Sequence, residues 1–286
     1  ETVTNTTPLL STPKVNFALS DIAFPEELIK IKLSKLKSTT SPGPDGITPT
    51  VLNKCAETVC IPLKILMTQS FQNSQLPEDW RLAIVKPIFK KGDKFQAVNY
   101  RPISLTAVIA KIMESIISDE IRKFLLANNV LPAEQHGFVP KKSVSTNFFC
   151  AVSDWTKNFD RGVATDVVYF DFCKAFDKVP ITILLLKLRH YGITGLLLEW
   201  IKGFLTNRSF RVKVGASLSD LTAVESGVPQ GSVLGPLLFI TYIADLKTEI
   251  QSRCLFYADD LKIYNDSPTK CCLTVVRKFS FFSLKQ

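Results

Sequence analysis

The residues of this 286-residue sequence best suited to chemistry are three aspartates. Asp171 closes the β-branched and aromatic run Val167-Val168-Tyr169-Phe170. Asp259 and Asp260 lie between two further apolar runs, Cys254 to Tyr257 and Leu261 to Tyr264, in the pattern of a hairpin. Two adjacent aspartates at a hairpin tip are by themselves an ordinary solvated turn. Asp171 changes that reading, because a carboxylate at the end of a strand set against buried sheet is costly unless it meets a cation. Neighbouring strands ending in Asp171 and Asp259 would put both within reach of a pair of divalent ions ~4 Å apart. Oxygen-only ligands select hard cations, Mg²⁺ or Mn²⁺.

A second constellation is basic. From Arg81 to Ile103, strand-forming residues surround Lys90-Lys91-Gly92-Asp93, which reads as a two-stranded hairpin. Arg81, Lys86, Lys90, Lys91, Lys94 and Arg101 face one acid there, Asp93, so the hairpin suits a triphosphate or a nucleic-acid backbone. Basic groups combined with a two-metal carboxylate site fit phosphoryl transfer, where catalysis is mainly positioning and neutralisation of charge on in-line oxygens. The whole chain leans the same way: 35 Lys and Arg against 26 Asp and Glu leave a net charge of +9, which favours polyanionic partners.

The remaining sequence must supply the frame. With 46% hydrophobic and 21% charged residues it has ample material for a core. Residues 1–20, rich in Thr, Ser, Pro and Asn, read as an extended lead-in. Pro25, Glu26 and Glu27 open a helix that turns Leu28, Ile29, Leu33 and Leu36 to one face and Lys30, Lys32, Lys35 and Lys37 to water. The turn formers from Ser41 to Gly46 stop it. Leu105, Ile109, Ile112 and Ile116 mark a core helix, further helical material runs from Leu184 to Arg189 and from Leu196 to Phe204, and Arg211 to Val214 is strand-like. Strands interleaved with long helices, without internal repeats, predict an α+β fold with a small sheet backed by helices. Asp177, ahead of Pro180 and an apolar helix, reads as a helix cap; His136 and His190 read as structural. The seven cysteines show no CxxC pair and read as buried free thiols in a reducing, intracellular setting, nuclear or cytoplasmic. The longest apolar run, Leu237 to Ala244, falls far short of the ~20 residues of a membrane span, so no membrane passage is expected. Glu1 as first residue suggests a piece of something longer or a processed product.

Five segments in order carry a family resemblance. Tyr169-Phe170-Asp171-Phe172-Cys173-Lys174-Ala175-Phe176-Asp177 resembles the first palm motif of reverse transcriptases. The second is matched by the segment from Ser226 to Pro236, containing Gly227-Val228-Pro229-Gln230-Gly231, and the third by Tyr257-Ala258-Asp259-Asp260. Upstream, Ser41-Pro42-Gly43-Pro44-Asp45-Gly46 and Asn99-Tyr100-Arg101-Pro102-Ile103-Ser104 resemble segments of non-LTR, LINE-type elements, particularly the jockey-like group. The resemblance implies the fingers and palm of a right-hand polymerase: a lead-in at 1–23, mainly fingers at 24–160 and mainly palm at 161–286. It implies an RNA-directed DNA polymerase that extends a DNA primer on an RNA template with dNTPs and two Mg²⁺ ions. Carried over by position, Asp171 and Asp259 are the metal ligands, with the main-chain oxygen of Phe172 as a further ligand. Asp260 supports them, since adjacent side chains on extended backbone diverge. Phe176 matches the steric gate against a ribose 2′-hydroxyl, Gln230 and Gly231 the loop that contacts nucleotide and template, and Lys91 and Arg101 the clamp on the triphosphate. The closing residues 278–286 do not resemble the family's next palm segment, so neither thumb nor endonuclease is expected in this chain. Two other readings compete. One is a retroelement remnant that binds nucleic acid without catalysis; the other is an RNA-templated RNA polymerase, against which Phe176 and the fingers motifs weigh.

Overall fold

The computed structural model describes residue 15 and residues 17–266; the expectations for residues 1–14, for Cys271 and Cys272 and for 278–286 lie outside them. In chain order the helices and strands are α1 (Glu26–Ser34), α2 (Pro49–Lys54), α3 (Ala56–Gln72), α4 (Glu78–Arg81), β1 (Leu82–Phe89), β2 (Tyr100–Leu105), α5 (Val108–Ala127), α6 (Val144–Asp160) and β3 (Asp166–Asp171). Then follow α7 (Ile181–His190), α8 (Gly195–Leu205), β4 (Arg208–Val214), β5 (Ser217–Leu218), β6 (Thr222–Val224), α9 (Gly235–Tyr242), α10 (Leu246–Glu249), β7 (Arg253–Tyr257) and β8 (Asp260–Asn265). The mixture is α+β, and the chain divides into two compact units.

The first unit takes in Asn129–Ala175 and the chain from Phe239 onward. Its sheet is antiparallel, in the order β3-β8-β7. Period-2 alternation sorts the side chains onto its two faces. Cys254, Phe256, Leu261 and Ile263 pack with Ile250, Phe170, Phe172, Ile243 and Leu246 on one. Leu255, Tyr264 and Val167 pack on the other, against Ala151 and Trp155 of α6. Helix α6 opens with a reciprocal cap, in which Ser143 Oγ accepts the Thr146 N–H and Thr146 Oγ1 accepts the Ser143 N–H, satisfying two donors that a helix start leaves open.

The second unit takes in the chain from Thr12 to Asn128 and from Phe176 to Leu238. Its sheet has the order β2-β1-β4-β5, with β6 also on β4. Strands β1 and β2 form the expected antiparallel hairpin, whereas β1 and β4 run parallel. The hairpin connection is no tight turn. It spans residues 90–99, includes a 3₁₀ turn at Ala97–Asn99, and is tied internally by Asn99 Nδ2 to the Asp93 carbonyl and by the Tyr100 hydroxyl to the Lys94 carbonyl. Ile29 and Leu33 of α1, Met67 and Phe71 of α3, Ile112 and Ile116 of α5 and Trp200 and Phe204 of α8 are buried, and burial of such side chains is the main force holding the helices together. Leu36 lies beyond the end of α1, and Leu105 ends β2 rather than opening α5. Leu19 bridges to Ile193 and exchanges backbone hydrogen bonds with Gly192 and Thr194, which ties down this stretch of the lead-in.

Two expectations need correcting. Cys60 and Cys254 are buried, but Cys55, Cys150 and Cys173 are exposed. A thiol is apolar enough for a core and small enough for a helix junction such as Cys55 or an exposed position within α6 such as Cys150, so residue type alone did not decide. Asp177 caps nothing: α7 starts at Ile181 behind Pro180, without a side-chain cap. Among the described residues no helix is long and apolar enough to cross a membrane.

Candidate active site

In the first unit, β3 and β8 pair so that Asp171 stands opposite Asp260 and Tyr169 opposite Lys262. Cross-strand partners share a face, so both carboxylates leave the same side of the sheet. On the next strand Tyr257 pairs with Asp260, which leaves Ala258 and Asp259 as a two-residue turn. Ala258 has φ 56°, a positive value that such hairpins commonly give to glycine. The turn is held from behind. Gln135, 1% exposed, accepts the Ala258 N–H at 3.0 Å and the Gly137 N–H at 2.8 Å through its Oε1. The Phe256 N–H donates to the Glu134 carbonyl, while the Phe256 carbonyl accepts from the His136 N–H and from Asn147 Nδ2.

Three carboxylates thus gather at one end of one sheet. Asp171 and Asp260 are exposed and Asp259 is half-buried. Among the described residues no lysine or arginine forms an ion pair with any of them. The Asp260 carboxyl is held above the usual carboxylate range, first by partial burial and then by the charges of Asp259 and Asp171. The donors are oxygen only and lack a counter-charge, so they suit a hard divalent cation. They are not drawn into a closed cage: among the described residues no group of three or more His, Cys, Asp or Glu side chains is close enough to hold a metal.

Beside Asp171 and Asp260 opens a cleft of about 480 Å³, lined also by Tyr169, Tyr257, Asn147 and Lys262. Lys262 Nζ donates to Asn147 Oδ1 at 3.3 Å and lies over the rings of Trp155 and Tyr169. Burial pushes its pKa down. Phe172 follows β3 with its ring against the core cluster.

The second unit carries Phe176, Gln230, Gly231, Lys91 and Arg101. The Ser226 hydroxyl donates to the Asp177 carbonyl, the Gly227 N–H to the Val179 carbonyl and the Val228 N–H to the Phe176 carbonyl. This sews the Gly-rich loop onto the segment that carries Phe176. A Cβ on Gly227 would lie 2.6 Å from the Phe176 carbonyl oxygen, and one on Gly231 2.5 Å from that of Ser104; both glycines have positive φ. The close approach these two glycines permit is to the protein's own backbone. Gln230 is half-buried, and Lys91 and Arg101 are exposed on the β1–β2 hairpin and its connection, Arg101 opposite Ile88.

Two residues that the motifs did not single out hold these loops. One is Gln135. The other is Glu114, a fully buried acid of α5 whose Oε2 accepts the N–H groups of Val233 at 2.7 Å and Leu234 at 3.1 Å, just before α9. Burial raises its pKa, opposed by those two hydrogen bonds and by the charges of Arg208, itself buried, and Lys111. A lone acid in the run Ile112-Met113-Glu114-Ser115-Ile116-Ile117 was the signal available in the sequence.

Residues 88–283 match the family described as reverse transcriptase (RNA-dependent DNA polymerase), and the chain belongs to that family. It is 28% identical to a probable RNA-directed DNA polymerase from transposon BS of Drosophila melanogaster, over 94% of the chain and 30% of that protein. It is 27% identical to the RNA-directed DNA polymerase from mobile element jockey of the same species, over 84% of the chain and 27% of the relative. It is 24% identical to a retrovirus-related Pol polyprotein from type-1 retrotransposable element R2 of Popillia japonica, over 86% and 35%. The chain therefore spans about a third of the length of these relatives. A jockey polymerase among them agrees with the jockey-like resemblance of the motifs.

Proposed function

We propose that this chain polymerises DNA on an RNA template, extending a DNA primer with dNTPs, as part of a non-LTR retrotransposon protein. The observation that carries the reading is the register: Asp171 faces Asp260 across β3 and β8, with Asp259 in the adjoining turn, and among the described residues no lysine or arginine pairs with them. In this reading the β3-β8-β7 sheet is the palm and the β1–β2 hairpin belongs to the fingers. Membership of the reverse transcriptase family and relatives named as RNA-directed DNA polymerases support it.

Asp171 and Asp259 would hold two Mg²⁺ ions, with Asp260 adding negative potential and the main-chain oxygen of Phe172 a further donor; Mn²⁺, also a hard cation, would substitute. Ions held there would supply charge neutralisation on the transferring phosphate and would lower the pKa of the primer 3′-hydroxyl. Lys91 and Arg101 engage the triphosphate, Arg101 with a planar fork that matches phosphate oxygens. Phe176 lies beneath the sugar and excludes a 2′-hydroxyl. Gln230 and Gly231 contact nucleotide and template. The net charge of +9 favours the RNA–DNA partner through counterion release.

The test is extension of a DNA primer on an RNA template with Mg²⁺ and dNTPs, beside an Asp259→Asn control. Extension that the control abolishes is the expected result. Primer–template binding without extension would instead identify a nucleic-acid-binding remnant.

A further inference from the structure

Asp259 sits in a turn that does not hold itself. The residue before it, Ala258, has positive φ, a conformation that is strained for a side chain bearing a Cβ and persists only where surrounding structure over-determines it. Ala258 is also buried, so its N–H cannot turn to water. Its acceptor is the Gln135 side-chain oxygen, which also takes the Gly137 N–H. Gln135 is fixed in turn. The backbone on either side of it hydrogen-bonds to Phe256, forming a parallel bridge at the edge of β7. Gly137 completes the fit, since a Cβ there would fall 2.2 Å from the Ala258 nitrogen.

We propose that Gln135 is the positioning residue for Asp259: its buried amide oxygen anchors the Ala258 N–H and so aims the Asp259 carboxylate at the metal ions. This rests on the polymerase reading for its consequence, though not for its geometry. No hydrogen bond links Gln135 to the Asp259 carboxylate, and its action runs through the turn alone. The chemistry explains the residue type. The position needs one acceptor for two buried N–H groups, and an amide provides it without adding another negative charge beside Asp259 and Asp260.

The test compares Gln135→Met, which fills the space without an acceptor, with Gln135→Glu, which keeps one. Hydrogen exchange at the Ala258 amide is read by NMR, Mn²⁺ binding by titration and primer extension by kinetics. In the Met variant the Ala258 amide should exchange about tenfold faster or more, the equivalent of one lost buried hydrogen bond. Mn²⁺ binding should weaken, and kcat should fall on the order of 10²-fold, the effect of misplacing a reacting group, with KM for primer–template unchanged. The Glu variant should keep Ala258 protected. Protection and Mn²⁺ affinity unchanged in the Met variant would overturn the proposal. Should the Met variant lose protection throughout, the Glu variant decides: Ala258 protected there supports the anchor, and Ala258 exchanging freely while the rest stays protected overturns it. A wild-type protein that binds primer–template and extends nothing would count against the polymerase reading, while exchange at Ala258 would still decide the role of Gln135.

Discussion

Asp171 and Asp260 stand directly opposite each other across the β3–β8 ladder, two acids on one face that have no basic ion-pair partner among the described residues. Like charges so placed disfavour the sheet by roughly 0.2–1 kcal/mol. Evolution tolerates such a pair where a ligand needs it. The consequence is a trade-off that can be measured. Asp260→Asn should raise unfolding free energy in EDTA by a few tenths to about 1 kcal/mol, and saturating Mg²⁺ should narrow the gap, because the wild-type site gains more from the cation. Urea denaturation of both proteins with and without Mg²⁺ makes the comparison. A destabilised Asn variant in EDTA would show that Asp260 has a stabilising partner after all.

Phe176 is half-buried in a segment whose backbone is sewn to the Gly-rich loop at Val228. Its backbone position is therefore fixed. Replacing it with Val removes bulk from the ring position and leaves the Val228 N–H bond to the Phe176 carbonyl intact. The expected result is a drop in the preference for dNTP over NTP, measured as the ratio of kcat/KM values, with dNTP incorporation retained. Unchanged selectivity would reject the gate.

The strands that carry the aspartates were legible as short apolar, β-branched and aromatic runs, because both faces of the sheet are packed: Cys254, Phe256, Leu261 and Ile263 on one, Leu255, Tyr264 and Val167 on the other. Register was less legible. The sequence places Asp259 and Asp260 together at a hairpin tip, whereas the ladder takes Asp260 into β8 opposite Asp171 and leaves Asp259 in the turn. Helix α6 escaped notice because its most buried positions include Asn147 and Asn158 beside Ala151, polar groups satisfied by distant partners, Phe256 and Asp266. Helix α3 carries Pro62, a residue that argues against a helix interior. The parallel pairing of β1 with β4 joins segments over a hundred residues apart, a contact that no local pattern encodes. Gln135 and Glu114 act on loops far from them in sequence, so their roles emerge only from the fold.

Glu114 offers a stability test with a defined sign. Its folded pKa is raised, mainly by burial, so the protonated form is favoured in the folded state relative to the unfolded chain. Its contribution is fully present below the unfolded value, near 4.3, and is lost as pH rises through the folded one. Glu114→Gln keeps an acceptor for Val233 and Leu234 and cannot titrate. The stability of wild type relative to this variant should therefore decline as pH climbs from about 4 upward. Glu114→Leu is harsher: it leaves two backbone N–H groups without their acceptor and Arg208 buried without its opposing charge, and should cost about 3–5 kcal/mol. Denaturant titrations across pH check both, and a pH-independent difference between wild type and the Gln variant would refute the assignment.

His136 titrates with the opposite sign. It is buried, Nδ1 lies 2.8 Å from Thr146 Oγ1, and its pKa is lowered first by burial and then by Lys142 and Lys262. A base whose folded pKa is depressed stabilises the fold above its unfolded value, near 6.5, and that stability is lost as pH falls through the folded one. The affected structure is specific. The His136 N–H donates to the Phe256 carbonyl, and Thr146 belongs to the reciprocal cap that opens α6, so protonation acts on the start of α6 and on the backing of the Ala258 turn together. Acidification below about 6.5 should accelerate amide exchange at both places before the sheet itself opens. His136→Gln, neutral at every pH, should flatten that dependence. Exchange rates at Thr146 and Ala258 followed from pH 7.5 to 5, after correction for intrinsic exchange, provide the measurement; parallel profiles in the two proteins would sink the idea.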